Sequence, residues 1–292
     1  MNRKMVFLML LAGMIFGQQS IVRLYTGNRS DLKRIFGKQD LDIAGVKAGV
    51  YYDIVADPKL ISDISSSGLD YEVIVPDLEA AKDSVRAEYL SYSEMEDSLR
   101  QMVLNHPSIC KLDSLPITTY EGNWIYGIKI SDNPSFEEDD EPGFLIDGTH
   151  HAREWACIPT VMFFADSILS AYNSVPEIAE IVNNTEIYCF PVVNVDGYIY
   201  DYPASEWWRK NREPFGGSIG TDCNRNYSGC SGDVEGDWGA VDEDQATHRP
   251  SYETFCGAYV NSGDETRALT MYVKEHIINA YMSYHSSGEL LM

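Results

Sequence analysis

Phe144-Leu145-Ile146-Asp147-Gly148-Thr149-His150-His151-Ala152-Arg153-Glu154-Trp155 is the stretch on which the reading of this chain turns. Phe144 to Ile146 is a short apolar run suited to a buried strand, and the polar residues behind it lead into a helix predicted from about Glu154 to Tyr172. Strand, polar turn and helix form the repeating unit of an α/β sheet, where sites lie beyond the carboxyl ends of strands. In the turn, His151 and Glu154 are three residues apart. On an incipient helical turn both side chains project to one side, and an imidazole nitrogen with a carboxylate can grip one zinc ion at ~2.0 to 2.2 Å. His-x-x-Glu also recurs by chance, and a surface pair opening a helix, with Glu favoured by the dipole, is its commoner origin. A candidate third ligand changes the balance. His285 ends a predicted strand of apolar and small residues, Ala280 to Tyr284, placed to complete a His2Glu set that leaves a fourth position open, as a catalytic zinc requires. Alone, such a histidine is more often a hydrogen-bonded core residue.

Around this stretch the elements continue the same pattern. Ser93 and Glu96 form a predicted capping box ahead of an amphipathic helix bearing Met95, Leu99, Met102 and Val103, which His106 and Pro107 end. Strands are predicted at Ile109 to Leu112, Trp124 to Ile130, Phe144 to Ile146, Ile187 to Val193 and Ala280 to Tyr284, with a further helix from Thr266 to about Ile277. The fold class is α/β, a mixed β-sheet flanked by helices. Gly216 to Gly263 is long, polar and irregular, and loops of that kind in a compact domain are usually functional.

Between the candidate ligands lie Trp208-Arg209-Lys210-Asn211-Arg212 and Asp222-Cys223-Asn224-Arg225-Asn226-Tyr227. Arginine pairs bidentately with carboxylate, and a cation beside a polarised carbonyl stabilises a developing oxyanion. Either cluster alone reads as charge balancing on an acidic surface; the two together, between the ligands, favour a site.

Thr149 to Trp155, Pro191-Val192-Val193-Asn194-Val195-Asp196-Gly197-Tyr198, the two arginine clusters and Tyr284-His285-Ser286 resemble the ordered motifs of the zinc metallocarboxypeptidases of the carboxypeptidase A/B type. The His2Glu set is a known example for carboxypeptidase A. The resemblance implies one Zn2+ held by His151, Glu154 and His285. It further implies Asn224 and Arg225 on the substrate's terminal carboxylate, Arg209 supporting the oxyanion, and Arg153 lining the neighbouring subsite. The partner would be a peptide or protein C-terminus, and the reaction hydrolysis of the last peptide bond. Fork-shaped donors on Arg and Asn suit a free carboxylate.

The family's general-base glutamate lies on a strand well after the third ligand, whereas this sequence ends at Met292. Glu289, four strand residues past His285 at ~3.3 Å each, would sit ~13 Å away, too far to share its chemistry. The expectation is a C-terminally truncated catalytic domain with an unpaired sheet edge, weakly active or inactive as it stands. Ser287 departs from the aromatic residue of many relatives. Two other readings stand beside the enzyme: a non-catalytic zinc- or peptide-binding remnant, and another zinc amidohydrolase sharing His-x-x-Glu.

Toward the N-terminus, strand and helix alternate from Ile21 to Asp77, with strands at Ile21 to Tyr25, Val50 to Val55 and Tyr71 to Val75 and helices at Asp31 to Phe36 and Pro58 to Ser65. Gly68 to Asp77 resembles the end of that family's propeptide, so residues 18–80 are expected to form a small α+β prosegment-like domain, 81–92 a connector and 93–292 a partial catalytic domain. Arg3 and Lys4 before the apolar run Met5 to Phe16 predict a signal peptide over 1–17, too short to span ~30 Å of hydrocarbon. The mature chain is expected to be secreted, monomeric and off the membrane. Asp and Glu outnumber Lys and Arg 45 to 22, a net charge of -23, which disfavours nucleic acid and anionic lipid as partners. Cys157 and Cys189, inside apolar runs, read as core; one bridge is expected among Cys223, Cys230 and Cys256, the pair left open.

Overall fold

The computed structural model describes residues 18–37, 41–204, 207–228, 238 and 246–286. The expected signal segment, Cys230, Ser287 and Glu289 lie outside the described residues. The chain divides into two compact units, one of residues up to Ala87 and one spanning Glu88–Ser286.

The first unit is a four-stranded antiparallel sheet, β1 (Ser20–Leu24), β2 (Ile43–Lys47), β3 (Tyr51–Ala56) and β4 (Tyr71–Val75), in the order β2-β3-β1-β4. Alternation builds it: Val22 and Leu24 point into the core while Arg23 between them pairs with Asp53 across the strands at 2.8 Å. Helices α1 (Arg29–Phe36) and α2 (Pro58–Ser67) belong to the same unit, and α2 buries Leu60, Ile61 and Ile64 against Val22, Leu24 and Ile54. Asp57 caps α2 from the N-terminal side, its carboxylate accepting from Leu60 N at 2.7 Å. Strand β2 is not legible from sequence, because Ala44 and Gly45 carry little strand preference and only the pairing with β3 holds them extended. Helix α3 (Leu78–Val85) occupies part of the expected connector, started by Asp77, whose carboxylate accepts from Ala80 N.

The second unit carries a five-stranded mixed sheet in the order β11-β7-β8-β6-β5. Its strands are β5 (Cys110–Ser114), β6 (Tyr126–Ile130), β7 (Gly143–Gly148), β8 (Glu186–Phe190) and β11 (Ile278–Tyr284), with a small hairpin formed by β9 (Pro214–Phe215) and β10 (Ser218–Ile219). β11, β7 and β8 run parallel; β6 and β5 are antiparallel to their neighbours. The helices are α4 (Tyr92–Asn105), α5 (Cys157–Ala171), α6 (Pro176–Val182), α7 (Val195–Ala204) and α8 (Asp264–Glu275). The mixed sheet with flanking helices is the expected fold class. Its core gathers Leu99, Ile128, Leu145, Ile146, Val161, Phe190, Val193 and Leu269 among others.

Several local expectations are corrected. The capping box at the start of α4 is Ser91 with Glu94, not Ser93 with Glu96: Glu94 N donates to Ser91 Oγ, and Ser91 N donates to Glu94 Oε2 at 2.8 Å. Helix α5 starts at Cys157 rather than Glu154, because residues 151–156 are spent in a turn. β8 stops at Phe190, where Pro191 has no N–H to continue the ladder. Helices α6 and α7 were not expected. Cys157 and Cys189 are buried, as read, and Cys223 is a fully buried free thiol, so it takes no part in the bridge expected near it.

What matters for function is that the ends of β7 and β11 lie side by side. Asp147 pairs with Ser283 and Gly148 with Tyr284, which brings the Thr149–Glu154 turn next to His285, more than a hundred residues later. Gly148 is required at that point: a Cβ there would meet Cys157 Cβ at 2.9 Å and Pro191 O at 3.2 Å. No helix among the described residues is long and apolar enough to cross a membrane.

Candidate metal centre

The turn beyond β7 is held from several directions. Thr149 has a φ of 58°, a left-handed conformation that few non-glycine residues adopt. Its hydroxyl donates to Pro191 O at 3.0 Å, and its carbonyl accepts from Asn194 N at 3.1 Å. The Asn194 amide donates to His150 O at 3.0 Å, and Ala152 N donates to Arg209 O at 3.1 Å. The turn is therefore tied to the segment after β8 and to the first arginine cluster before any metal is considered.

On this frame His151, Glu154 and His285 converge. His151 Nδ1 lies 2.8 Å from Glu154 Oε1, and His285 Nδ1 lies 2.9 Å from Glu154 Oε2. The two imidazole rings stand 4.8 Å apart between centroids. One ligand atom from each residue lies within 4.8 Å of the other two. Donor atoms around a tetrahedral zinc with bonds of ~2.0 to 2.1 Å are about 3.3 Å apart, so both contacts to Glu154 are within about half an ångström of that spacing. Two imidazoles and a carboxylate form a donor set that suits zinc. Burial would push the Glu154 carboxyl up, but the neighbouring His151 and His285 outweigh it and hold it far below the ordinary range.

Asp222, which no sequence pattern singles out, holds a central position in the structure. It is fully buried, with Oδ1 3.1 Å from His151 Nε2. Its other oxygen accepts from Arg209 Nε at 3.0 Å and Nη2 at 2.8 Å. Burial would raise the Asp222 carboxyl; Arg209 first, then His151 and Arg225, hold it well below the ordinary range. A buried carboxylate at Nε2 favours the tautomer with hydrogen there, which leaves the lone pair of Nδ1 facing Glu154 and the metal position.

Arg209 therefore reaches the triad through Asp222. The Asn224 amide lies 3.3 Å from His285 Nε2, and Arg225 Nη1 donates to Asn224 O at 2.8 Å. Both sit on a 3-10 turn, Cys223–Arg225, whose first amides Asp222 caps by accepting from Asn224 N. Arg153 lies in the turn between His151 and Glu154. Its guanidinium stacks over Trp207 at 5.1 Å, and Nη1 lies 3.8 Å from Glu253.

Behind the ligands is a second polar layer that sequence reading missed. His150 is buried, with Nε2 2.8 Å from the Tyr227 hydroxyl and Nδ1 3.2 Å from Ser283 Oγ. Burial, followed by the nearness of His285 and His151, holds His150 well below the ordinary histidine range, so its ring is neutral. Asp147 Oδ2 accepts from the Tyr281 hydroxyl at 2.8 Å. Burial pushes this carboxyl up to about 7, against the opposing pull of the Ser283 and Tyr281 hydroxyls and His285. A second histidine beside His151 and a polar strand end, Ser283, were the available signals.

The zinc carboxypeptidase family profile matches residues 95–292. Carboxypeptidase B of Bos taurus is 30% identical over 244 residues, covering 78% of this chain and 55% of the relative. Carboxypeptidase B of Homo sapiens is also 30% identical, with the same coverage. The carboxypeptidase A of Helicoverpa armigera superposes with a TM-score of 0.75 over 94% of this chain and 71% of that one, at 20% identity, a likeness of fold. The chain spans about half the length of the curated relatives it matches.

Proposed function

The chain belongs to the zinc carboxypeptidase family, and from that premise we propose that it serves a secreted zinc carboxypeptidase that removes C-terminal residues from peptides or proteins. The observation that carries the proposal is the convergence of His151, Glu154 and His285, with Asp222 fixing His151 from behind. One zinc ion bound there supplies Lewis-acid polarisation of the scissile carbonyl. The remaining work falls to the chain's own residues. Arg225 and Asn224, beside His285, bind the substrate's free carboxylate; a guanidinium and an amide together offer the planar fork of donors that a carboxylate accepts. Arg209, oriented by Asp222, stabilises negative charge developing on the carbonyl oxygen. Arg153, held on Trp207, lines the adjoining subsite.

Among the described residues, the two carboxylates that touch the triad are engaged. Glu154 faces both imidazoles, and Asp222 is held by His151 and Arg209. Residues 1–17 direct export, and the N-terminal unit is assigned the role of a prosegment, supported by the likeness of Gly68 to Asp77 to the family's propeptide end.

Recognition of a free C-terminus can be tested without turnover. The zinc-loaded chain should bind an N-blocked dipeptide at least about tenfold more tightly than the same peptide amidated at its C-terminus, the scale of one charge-assisted contact. Arg225→Ala should abolish the difference. Equal affinity for acid and amide in the parent chain would contradict the proposal.

A further inference from the structure

We propose that His150 is a positioning residue for the metal centre, clamping the strand end that carries His285 to the turn that carries Asn224 and Arg225. This inference rests on the zinc site proposed above and goes beyond it, because His150 itself is not a ligand.

The geometry is that of a three-way joint. Through its backbone, His150 belongs to the ligand turn and is pinned there by the Asn194 amide at 3.0 Å. Nδ1 meets Ser283, two residues before His285 on β11, at 3.2 Å. Nε2 meets the hydroxyl of Tyr227, two residues after Arg225, at 2.8 Å. The ring itself lies 5.6 Å from the His285 ring and 5.7 Å from the Tyr227 ring, between centroids. One buried imidazole thus links three chain segments distant in sequence, using both nitrogens, and leaves neither for a metal. Asp147, one strand position opposite Ser283, lies with Oδ1 3.6 Å from His150 Nδ1 and anchors the Tyr281 hydroxyl at 2.8 Å. β11 is the edge strand of the described sheet, bonded to β7 and with Tyr281 and Met282 half-exposed. The side-chain link from Ser283 to His150 ties the end of this strand to the ligand turn and so constrains where His285 points. A phenylalanine would fill the same space but offer neither Ser283 nor Tyr227 a hydrogen-bond partner.

The test is zinc affinity of the full chain by competition with a chromophoric chelator, together with the visible absorption of the cobalt(II)-substituted chain. Outer-layer partners of metal ligands typically tune affinity by about 10- to 100-fold. His150→Phe should weaken zinc about tenfold and alter the cobalt spectrum, in addition to whatever stability the metal-free chain loses from the two unpaired hydroxyls. Ser283→Ala and Tyr227→Phe, which keep the imidazole and remove one partner each, should each weaken zinc severalfold. His150→Phe with parent affinity and parent spectrum would overturn the proposal. If that variant fails to fold, parent affinity in both single-partner variants overturns it instead. A parent chain that binds no zinc would defeat the metal site itself and this inference with it, whereas unchanged variants in a zinc-binding parent defeat this inference alone.

Discussion

At the scale of single residues, the proposed zinc site gains support from the buried acid behind His151, which a chance His-x-x-Glu would not have. Asp222→Asn keeps the size but removes the charge that orders the imidazole and pairs with Arg209. It should weaken zinc binding by about 10- to 100-fold, read by the same chelator competition, and should also destabilise the metal-free chain, because buried Arg209 loses its partner. The three ligand candidates were legible in sequence because His-x-x-Glu spacing is local and His285 closes a strand. Asp222 was not, since its contact with His151 spans 71 residues and depends on a fully buried position that no local pattern announces. A second buried acid makes a prediction of its own. Glu265 is fully buried, and burial pushes its carboxyl up to about 8, against the opposing hydrogen bond from Asn211. Because the folded value lies above the ordinary one near 4.5, the bound proton favours the fold below about pH 4.5. That favour is lost as pH rises toward about 8. Glu265→Gln should keep the Asn211 contact and flatten this slope. Denaturant unfolding at pH 5 and pH 8.5 should show the variant gaining on the parent by on the order of 3 kcal/mol at the higher pH; parallel behaviour at both pH values would contradict it.

At the scale of elements, the site depends on two strand ends brought level and on the turn between β7 and α5. Gly148 sits where the turn packs against Cys157 and Pro191. Gly148→Ala should cost about 1–3 kcal/mol in denaturant unfolding through overpacking, and, by moving the turn, should also lower zinc affinity. The β7 strand and the helix after it were legible, as were β4 and the end of α4 at His106. The start of α5 was not, because residues 151–156 follow helical spacing but turn instead, tied at Ala152 to Arg209 and at Glu154 to His151. The cap of α4 was read two residues late because Ser91 and Ser93 both precede a glutamate by three positions. The structure uses the earlier pair, with both hydrogen bonds of the box formed. β2 and α7 are held by tertiary pairing and packing rather than by propensity, whereas α6 does carry a start signal, Pro176 at its opening and Glu177 in its first turn.

At the scale of the whole molecule, the family, the sheet and the metal centre agree. Within a chain of net charge -23, Arg209 and Arg225 are linked to the triad through Asp222 and Asn224. Charge composition alone disfavours nucleic acid as a partner and leaves the enzyme class open. Ordered motifs supplied the class, and the topology explains why those motifs, dispersed in sequence, meet at the ends of β7 and β11. Zinc that binds the native state and not the unfolded chain stabilises it by about 2.7 kcal/mol at a hundredfold excess over its dissociation constant. The full chain should therefore melt several degrees higher with zinc than with chelator, and that difference should vanish in His285→Ala. The central claim is tested most directly by metal analysis of the full chain after dialysis against dilute zinc. The parent should retain one zinc per chain, and Glu154→Gln and His285→Ala should each retain less than about a tenth of that, as loss of one of three ligands requires. A parent chain that retains no zinc, or variants that hold as much as the parent, would contradict the account.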